Sequence, residues 1–291
     1  MPTNRLRMRN INFYVASTGQ HLGGLWQEGH ITDANIHWML GNVLLIVDEA
    51  WSLKHRASNR TVMPSDDIAA EGDYDIHSNG SIRMTDEPWA PRSLSYSISS
   101  RENLFCQGVR ARDGKCVITG KINRLAPLDQ WFGFQAAHVF PLRHGSLWNQ
   151  DNYSRWIREI RHDSGISGIN SVQNGLLMHA SVHLAFDQYA FSINPDDNYK
   201  ITSFHPDNWD VDGRILDFVC RDPDDPNHVS DEVLRWHFRQ AVLGNVRGQG
   251  EPIFETDFPP GSDIMGTLRQ EPYGKERLEM ELFRRLGELE E

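Results

Sequence analysis

Three histidines and an asparagine in the middle of the chain have the types and spacing to do chemistry. His138 lies in WFGFQAAHVFPL (131–142); Asn174, His179 and His183 lie in NGLLMHASVHLAFD (174–187). If 179–183 is helical, His179 and His183 sit about one turn apart on one side. Two imidazoles so placed can chelate one divalent ion, with water and phosphate oxygens in the open positions. Imidazole suits zinc and related transition metals, whereas magnesium prefers oxygen ligands. A neutral histidine outside the ligand set can take a proton from water, its ordinary pKa being about 6.5. His138 is that candidate. Asn174 either orients the His138 ring through its side-chain carbonyl or braces the loop between strand and helix. The set suits phosphodiester hydrolysis, in which a cation stabilises the charge developing on the leaving oxygen. The plainer reading is two hydrogen-bonded helix histidines, since 13 histidines make some i,i+4 pair unsurprising.

The elements that must position these residues follow from periodicity. Residues 131–140 read as a β segment with Phe134, Ala136, His138 and Phe140 on one face, stopped by Pro141. Residues 174–179 read as turn then strand, 180–190 as a helix, and 191–204 as a hairpin around NPDDN. Upstream, 101–120 predicts a helix, an Asp113-Gly114 turn and a short CVIT strand. Residues 10–30 predict short strands joined by glycine turns. Residues 34–47 read either as helix then strand across Gly41 or as one longer element. Residues 58–92 predict loops with at most one exposed hairpin. NYSRWIREI reads as a short helix in an insertion that can reach over a site. Two helices are expected in the tail, 230–243 with a cap at Ser230 or Asp231 and 275–290 with Leu278, Leu282 and Leu286 on one face.

The totals narrow the classes. A chain of 291 residues with 9 tryptophans can bury a sizeable core. Three cysteines, Cys106, Cys116 and Cys220, do not make a disulfide scaffold. No apolar run is long enough for a membrane span, and MPTNRLRMRN lacks the apolar core of a secretory signal. An intracellular setting, cytoplasmic or nuclear, is expected. The net charge of −11 argues against a surface coated in cations. The charge is uneven, however. Residues 101–200 hold 11 Lys and Arg against 9 Asp and Glu, and residues 201–291 hold 10 against 20. A polyanion finds its easiest approach at the middle third. Arg110, Arg112, Lys115 and Arg143 are the phosphate-contact candidates, against a solvated-surface alternative for each. Trp148 and Trp156 either stack on bases or, as favoured here, pack in the core.

DGKCVITG, AAHVFPL and NGLLMHASVHLAFD together resemble the HNH endonucleases of the ββα-metal (His-Me finger) fold. The resemblance covers roughly 103–195 and is greatest to a subgroup found in uncharacterised fungal proteins. It implies that His138 is the general base, Asn174 the central asparagine, and His183 the last metal-binding histidine. His179 falls where many members carry cysteine and where nuclease bacteriocins carry a second ligating histidine. Asp187 is a candidate to orient a ligating imidazole. Two positions depart from the pattern. Ala137 stands where many members have an Asp or His ligand, and Cys116 with Thr119 replaces the usual zinc knuckle.

The expected architecture is therefore α+β. A central ββα-metal module (101–204) lies between a β-rich N-terminal region (1–100) and an acidic helical C-terminal region (205–291) that packs on it. The expected function is metal-dependent hydrolysis of nucleic-acid phosphodiesters, DNA by the resemblance. One divalent ion is implied, Mg²⁺, Mn²⁺, Zn²⁺ or Ni²⁺. The rival is a degenerate HNH scaffold that binds nucleic acid or protein without cutting, which Ala137 and the acidic tail favour.

Overall fold

A computed structural model describes residues 8–90, 100–158, 168–247, 263, 265 and 266. The fold is α+β, built around two hydrophobic cores joined by one helix. The expected helix at 275–290 lies outside the described residues.

The N-terminal core rests on a five-stranded sheet. Strands β1 (Ile11–Val15), β2 (His21–Leu25), β4 (Trp51–His55), β5 (Arg60–Val62) and β6 (Gly72–Ser78) stand in the order β2-β1-β6-β4-β5. All neighbours are antiparallel except β1 and β6, which run parallel. Helix α1 (Asp33–Met39) is closed by a capping box in which Thr32 accepts from Asn35 N–H and Asn35 accepts from Thr32 N–H. It continues as a wider turn, Leu40–Leu44, into β3 (Leu45–Val47), which pairs with β7 (Ile82–Met84). Residues 34–47 are thus helix then strand. The polar stretch 58–92 departs from its expectation, because it supplies β6, the middle strand of the sheet. GDYDIHS hides a two-residue period: Tyr74 and Ile76 are buried, while the acidic neighbours Asp73 and Asp75 pair with Arg56.

The second core carries the histidine motifs. Helix α2 (Ser100–Asp113) packs Phe105 and Val109 against a ribbon of β8 (Phe134–His138) and β9 (Gly175–His179). CVIT is not a strand: it forms a turn, with Gly120 N–H to Cys116 O, and only Val117 N–H reaches β9, at Leu177 O. The ribbon register sets His138 opposite Gly175 and Phe134 opposite His179. Gly175 is there for space, since a Cβ would lie 2.5 Å from Phe105 and 2.6 Å from Val109. After β8 come a short turn, Leu142–His144, and α3 (Gly145–Gln150); NYSRWIREI contributes one tight turn, Tyr153–Trp156. Helix α4 (Ala180–Asp187) follows β9 directly. The expected hairpin is β10 (Phe191–Asn194) with β11 (Lys200–Ser203).

Helix α5 (Asp231–Val246) ties the two halves. Ser230 occupies its N-cap position, but its side chain makes no cap bond. Val233, Leu234 and Trp236 belong to the module's core, and Phe238, Ala241, Val242, Leu243 and Val246 to the N-terminal core. His237 is buried at the junction, hydrogen-bonded to Ser192 and stacked on Phe186. No described helix is long and apolar enough to cross a membrane.

Candidate functional site

His138 ends β8. Its imidazole lies flat on Phe105 of α2, with ring centroids 3.8 Å apart and planes 11° from parallel. Its Nε2 is 3.1 Å from Asn170 Oδ1. An amide oxygen there can accept from Nε2–H. The stack fixes the ring plane, and the amide fixes its rotation within that plane. Asn170 is a partner that sequence reasoning missed. It sits in a loop with no local pattern, and only the path of the chain brings it to β8.

Asn174 does the bracing half of what was expected. It is fully buried, and its Oδ1 accepts from Phe140 N–H at 2.7 Å. Its Nδ2 donates to Phe140 O (3.0 Å) and to Ile169 O (2.9 Å). Its own carbonyl accepts from Val139 N–H at 2.9 Å. The two residues after His138 are therefore latched to the start of β9. Asn174 holds the loop, and Asn170 holds the ring.

The two helix histidines are not equivalent. His179 is the last residue of β9 and the N-cap of α4, with φ −66° and ψ 143°, so the helical i,i+4 geometry does not extend to it. Its Nε2 lies 3.1 Å from Lys121 Nζ, its Nδ1 3.0 Å from Ser181 Oγ, and its ring edge-on to Phe134. Burial, and then the Lys121 ammonium, push its pKa below the ordinary value. Register puts it at the far end of the ribbon from His138, about 13 Å away at ~3.3 Å per strand residue.

His183 is instead paired one turn on with Asp187. Its Nε2 is 3.3 Å from Asp187 Oδ2, and its Nδ1 is 2.8 Å from Gln135 Oε1 of β8. The one-turn helical spacing expected of His179 and His183 is found instead between His183 and Asp187, because α4 begins only at Ala180. By the two-residue alternation of β8, Gln135 and Ala137 turn toward α4, while His138 turns toward α2. Ala137 is fully buried and offers no ligand atom. Among the described residues, no group of three or more His, Cys, Asp or Glu side chains gathers to hold a metal.

The basic candidates separate by burial. Arg112 is not available to a phosphate: its side chain is 3% exposed and paired with Asp113 at 2.6 Å. Its Nη1 and Nη2 also donate to Val172 O, Asn227 O and Gly175 O. Lys115 pairs with Asp217 at 2.6 Å. Burial alone would raise the Asp217 pKa, but the Lys115 bond and charge outweigh it and hold the carboxylate below its usual range. The Arg110 guanidinium lies 5.1 Å from the Trp131 ring centre. Arg143 stands in the turn directly after β8, half-buried. Trp148 is fully buried in the core, and Trp156 stacks on Tyr153 at 4.1 Å.

The Lys121–His179 contact has a titration consequence. Replacing Lys121 with methionine removes one of the two causes of the depressed pKa, so NMR titration of His179 should show it rise toward about 6.5. The sign for stability follows. While the folded value lies lower, the unfolded chain takes up the proton first, and stability falls as pH drops through about 6.5. That loss should shrink in Lys121→Met. An unmoved His179 titration would show that burial alone sets it.

Residues 116–194 match the family described as HNH endonuclease. Residues 8–83 match a Domain of unknown function (DUF8573), which coincides with the N-terminal sheet. No curated protein matches the chain, and no solved structure matches it. The first match contains His138, Asn170, Asn174, His183 and Asp187, and its family implies nuclease-type chemistry, a divalent metal and nucleic-acid binding in general. The segment that holds β8, β9 and α4 is thus similar to the HNH endonuclease family over residues 116–194.

Proposed function

We propose that the protein is a metal-dependent endonuclease, acting on DNA, in which His138 is the general base and His183 with Asp187 hold the cation. The observation that carries this reading is the His183–Asp187 pair. Gln135 Oε1 lies 2.8 Å from His183 Nδ1 and can accept from it, and His183 Nε2 then faces a carboxylate oxygen at 3.3 Å. Either a proton on the ring or a metal ion can bridge that gap. Nitrogen and oxygen ligands about 2.0–2.2 Å from one zinc-like ion lie roughly 2.9–3.6 Å apart at ordinary coordination angles. The pair fits that spacing, and its donor types suit zinc, manganese or nickel better than magnesium. Gln135 supplies the support that fixes the ligating tautomer.

When bound, the cation would stabilise negative charge on the scissile phosphate and its leaving oxygen. The chain's own residues do the rest. His138 accepts the proton of the attacking water, while Phe105 and Asn170 keep the ring from swinging away. Asn174 keeps the loop after β8 from relaxing. Arg143 and Arg110 stand nearest in sequence to the β8 and α2 contacts and are proposed phosphate partners; His179 and Lys121 mark the far end of the same ribbon.

Plasmid nicking with Mn²⁺, Zn²⁺, Ni²⁺ or Mg²⁺, against EDTA, tests the reading. Nicking should need the ion, and His183→Ala and Asp187→Ala should each weaken metal binding by calorimetry and slow nicking at least about tenfold, in the range of lost ligand support. Nicking that survives EDTA would sink the metal role. The second reading is a module that binds nucleic acid without cutting it, favoured by Ala137 in place of a ligand. Duplex binding with no nicking under any ion would select it.

A further inference from the structure

Between the CVIT turn and β8 the chain makes a loop, 119–133, that turns its apolar side chains outward. Phe132 is 92% exposed, Leu128 69%, Ile122 68% and Leu125 44%. The other large exposed apolar side chains of the described residues lie one or two at a time along the chain, which needs no explanation. Four within eleven residues do need one.

The loop is tied, so these side chains are presented by a shaped support. Asn123 is buried, donates to Gln130 O at 2.8 Å and accepts from Leu125 N–H at 3.0 Å. Gln130 N–H returns to Leu125 O, and Asp129 N–H to Ala126 O. Trp131 donates its indole N–H to Asp129 Oδ1 and carries the Arg110 guanidinium on its ring. Trp131 thus pins the loop to α2, and its neighbour Phe132 projects into solvent. Lys121 and Arg124 are exposed within the loop, and its one carboxylate, Asp129, is occupied by Trp131. The projecting side chains are therefore apolar with cations beside them, in a chain that is acidic overall.

We propose that this loop is a wedge for duplex nucleic acid, with Phe132 and Leu128 entering between stacked bases and Lys121 and Arg124 meeting the flanking phosphates. The inference rests on the nucleic-acid reading above and adds how the duplex is engaged. Apolar wedges opened against base steps, flanked by cations, are a known physical solution to gripping and kinking a duplex. The placement suits it. The loop feeds straight into β8, so the wedge lies beyond the Phe134 end of the ribbon, which is itself about 13 Å from His138 at ~3.3 Å per strand residue. Unstacking is easiest at pyrimidine–purine steps, so TA and CA/TG steps are the preferred targets.

The test is binding of the full chain to a DNA duplex in EDTA, where cleavage cannot intervene. A 2-aminopurine reporter flanks a central TA step, and a matched duplex carries an A-tract instead. The expected result is a fluorescence rise on binding, tighter binding to the TA duplex, and loss of both in Phe132→Ala/Leu128→Ala, with affinity at least about tenfold weaker. Lys121→Met/Arg124→Met should lower the salt dependence by about two phosphate contacts. Equal binding and fluorescence in the apolar variant would overturn the wedge and leave the nuclease reading standing. No duplex binding by the unsubstituted chain would overturn both. A change from dimer to monomer in the apolar variant, by light scattering, would assign the surface to a second copy of the chain and overturn the wedge.

Discussion

His138→Ala should lower the single-turnover nicking rate by about 10²–10⁴, the usual contribution of a positioned general base. Folding should suffer little. The imidazole is half-buried, and its stack on Phe105 is worth about 0.5–1.5 kcal/mol. Metal binding at His183 should be untouched, because the two imidazoles have different partners on the two sides of β8. Asn170→Ala should cost less than His138→Ala: it frees the ring to rotate but leaves the base in place. Rates measured at saturating ion, beside urea unfolding curves, decide it. An unchanged rate in His138→Ala would remove the base from the mechanism, whatever the metal does.

Arg112→Met should destabilise the protein by about 3–5 kcal/mol, the cost of breaking a buried ion pair from one side. Asp113 would be left with a buried carboxylate that still accepts from Leu177 N–H but has lost its countercharge. The carbonyls of Val172, Asn227 and Gly175 would lose their donors as well. Those three carbonyls belong to the loop before β9, the acidic C-terminal third and β9 itself. One guanidinium therefore holds α2, the ribbon and the return of the chain together. The salt dependence of nucleic-acid binding should not change, because Arg112 has no exposed N–H to offer a phosphate. A stable variant with weaker salt dependence would restore the surface role.

What was legible in the sequence was whatever one element carries by itself. The β8 period, the NG turn into β9, the hairpin around NPDDN and the apolar stripe of α5 each show within a dozen residues. The HNH likeness rides on three such stretches. β6 was hidden because its outward positions are acidic and its buried ones are only Tyr74 and Ile76; the strand pays off only once β1 and β4 lie on either side. The helical partner of His183 was not legible for a local reason. His179 and His183 have helical spacing, but a helix that starts at Ala180 hands the i,i+4 partnership to Asp187. Arg112 and Arg110 look alike in sequence, two positions apart. A difference of about 200° around α2 turns one into the core and the other toward Trp131. Asn170 could not be found at all without the fold, because nothing in its own neighbourhood points at His138.

Helix α5 gives its N-terminal part, through Trp236, to one core and the rest, from Phe238 on, to the other. Remove it, and each half loses a wall at once. The segments that match two separate families are thus not exchangeable cassettes. They are closed by a shared third piece, and melting either should drag the other with it. The ribbon that carries His138 shares that helix with a sheet on its other side, so substitutions in the N-terminal half can reach the ribbon through packing alone.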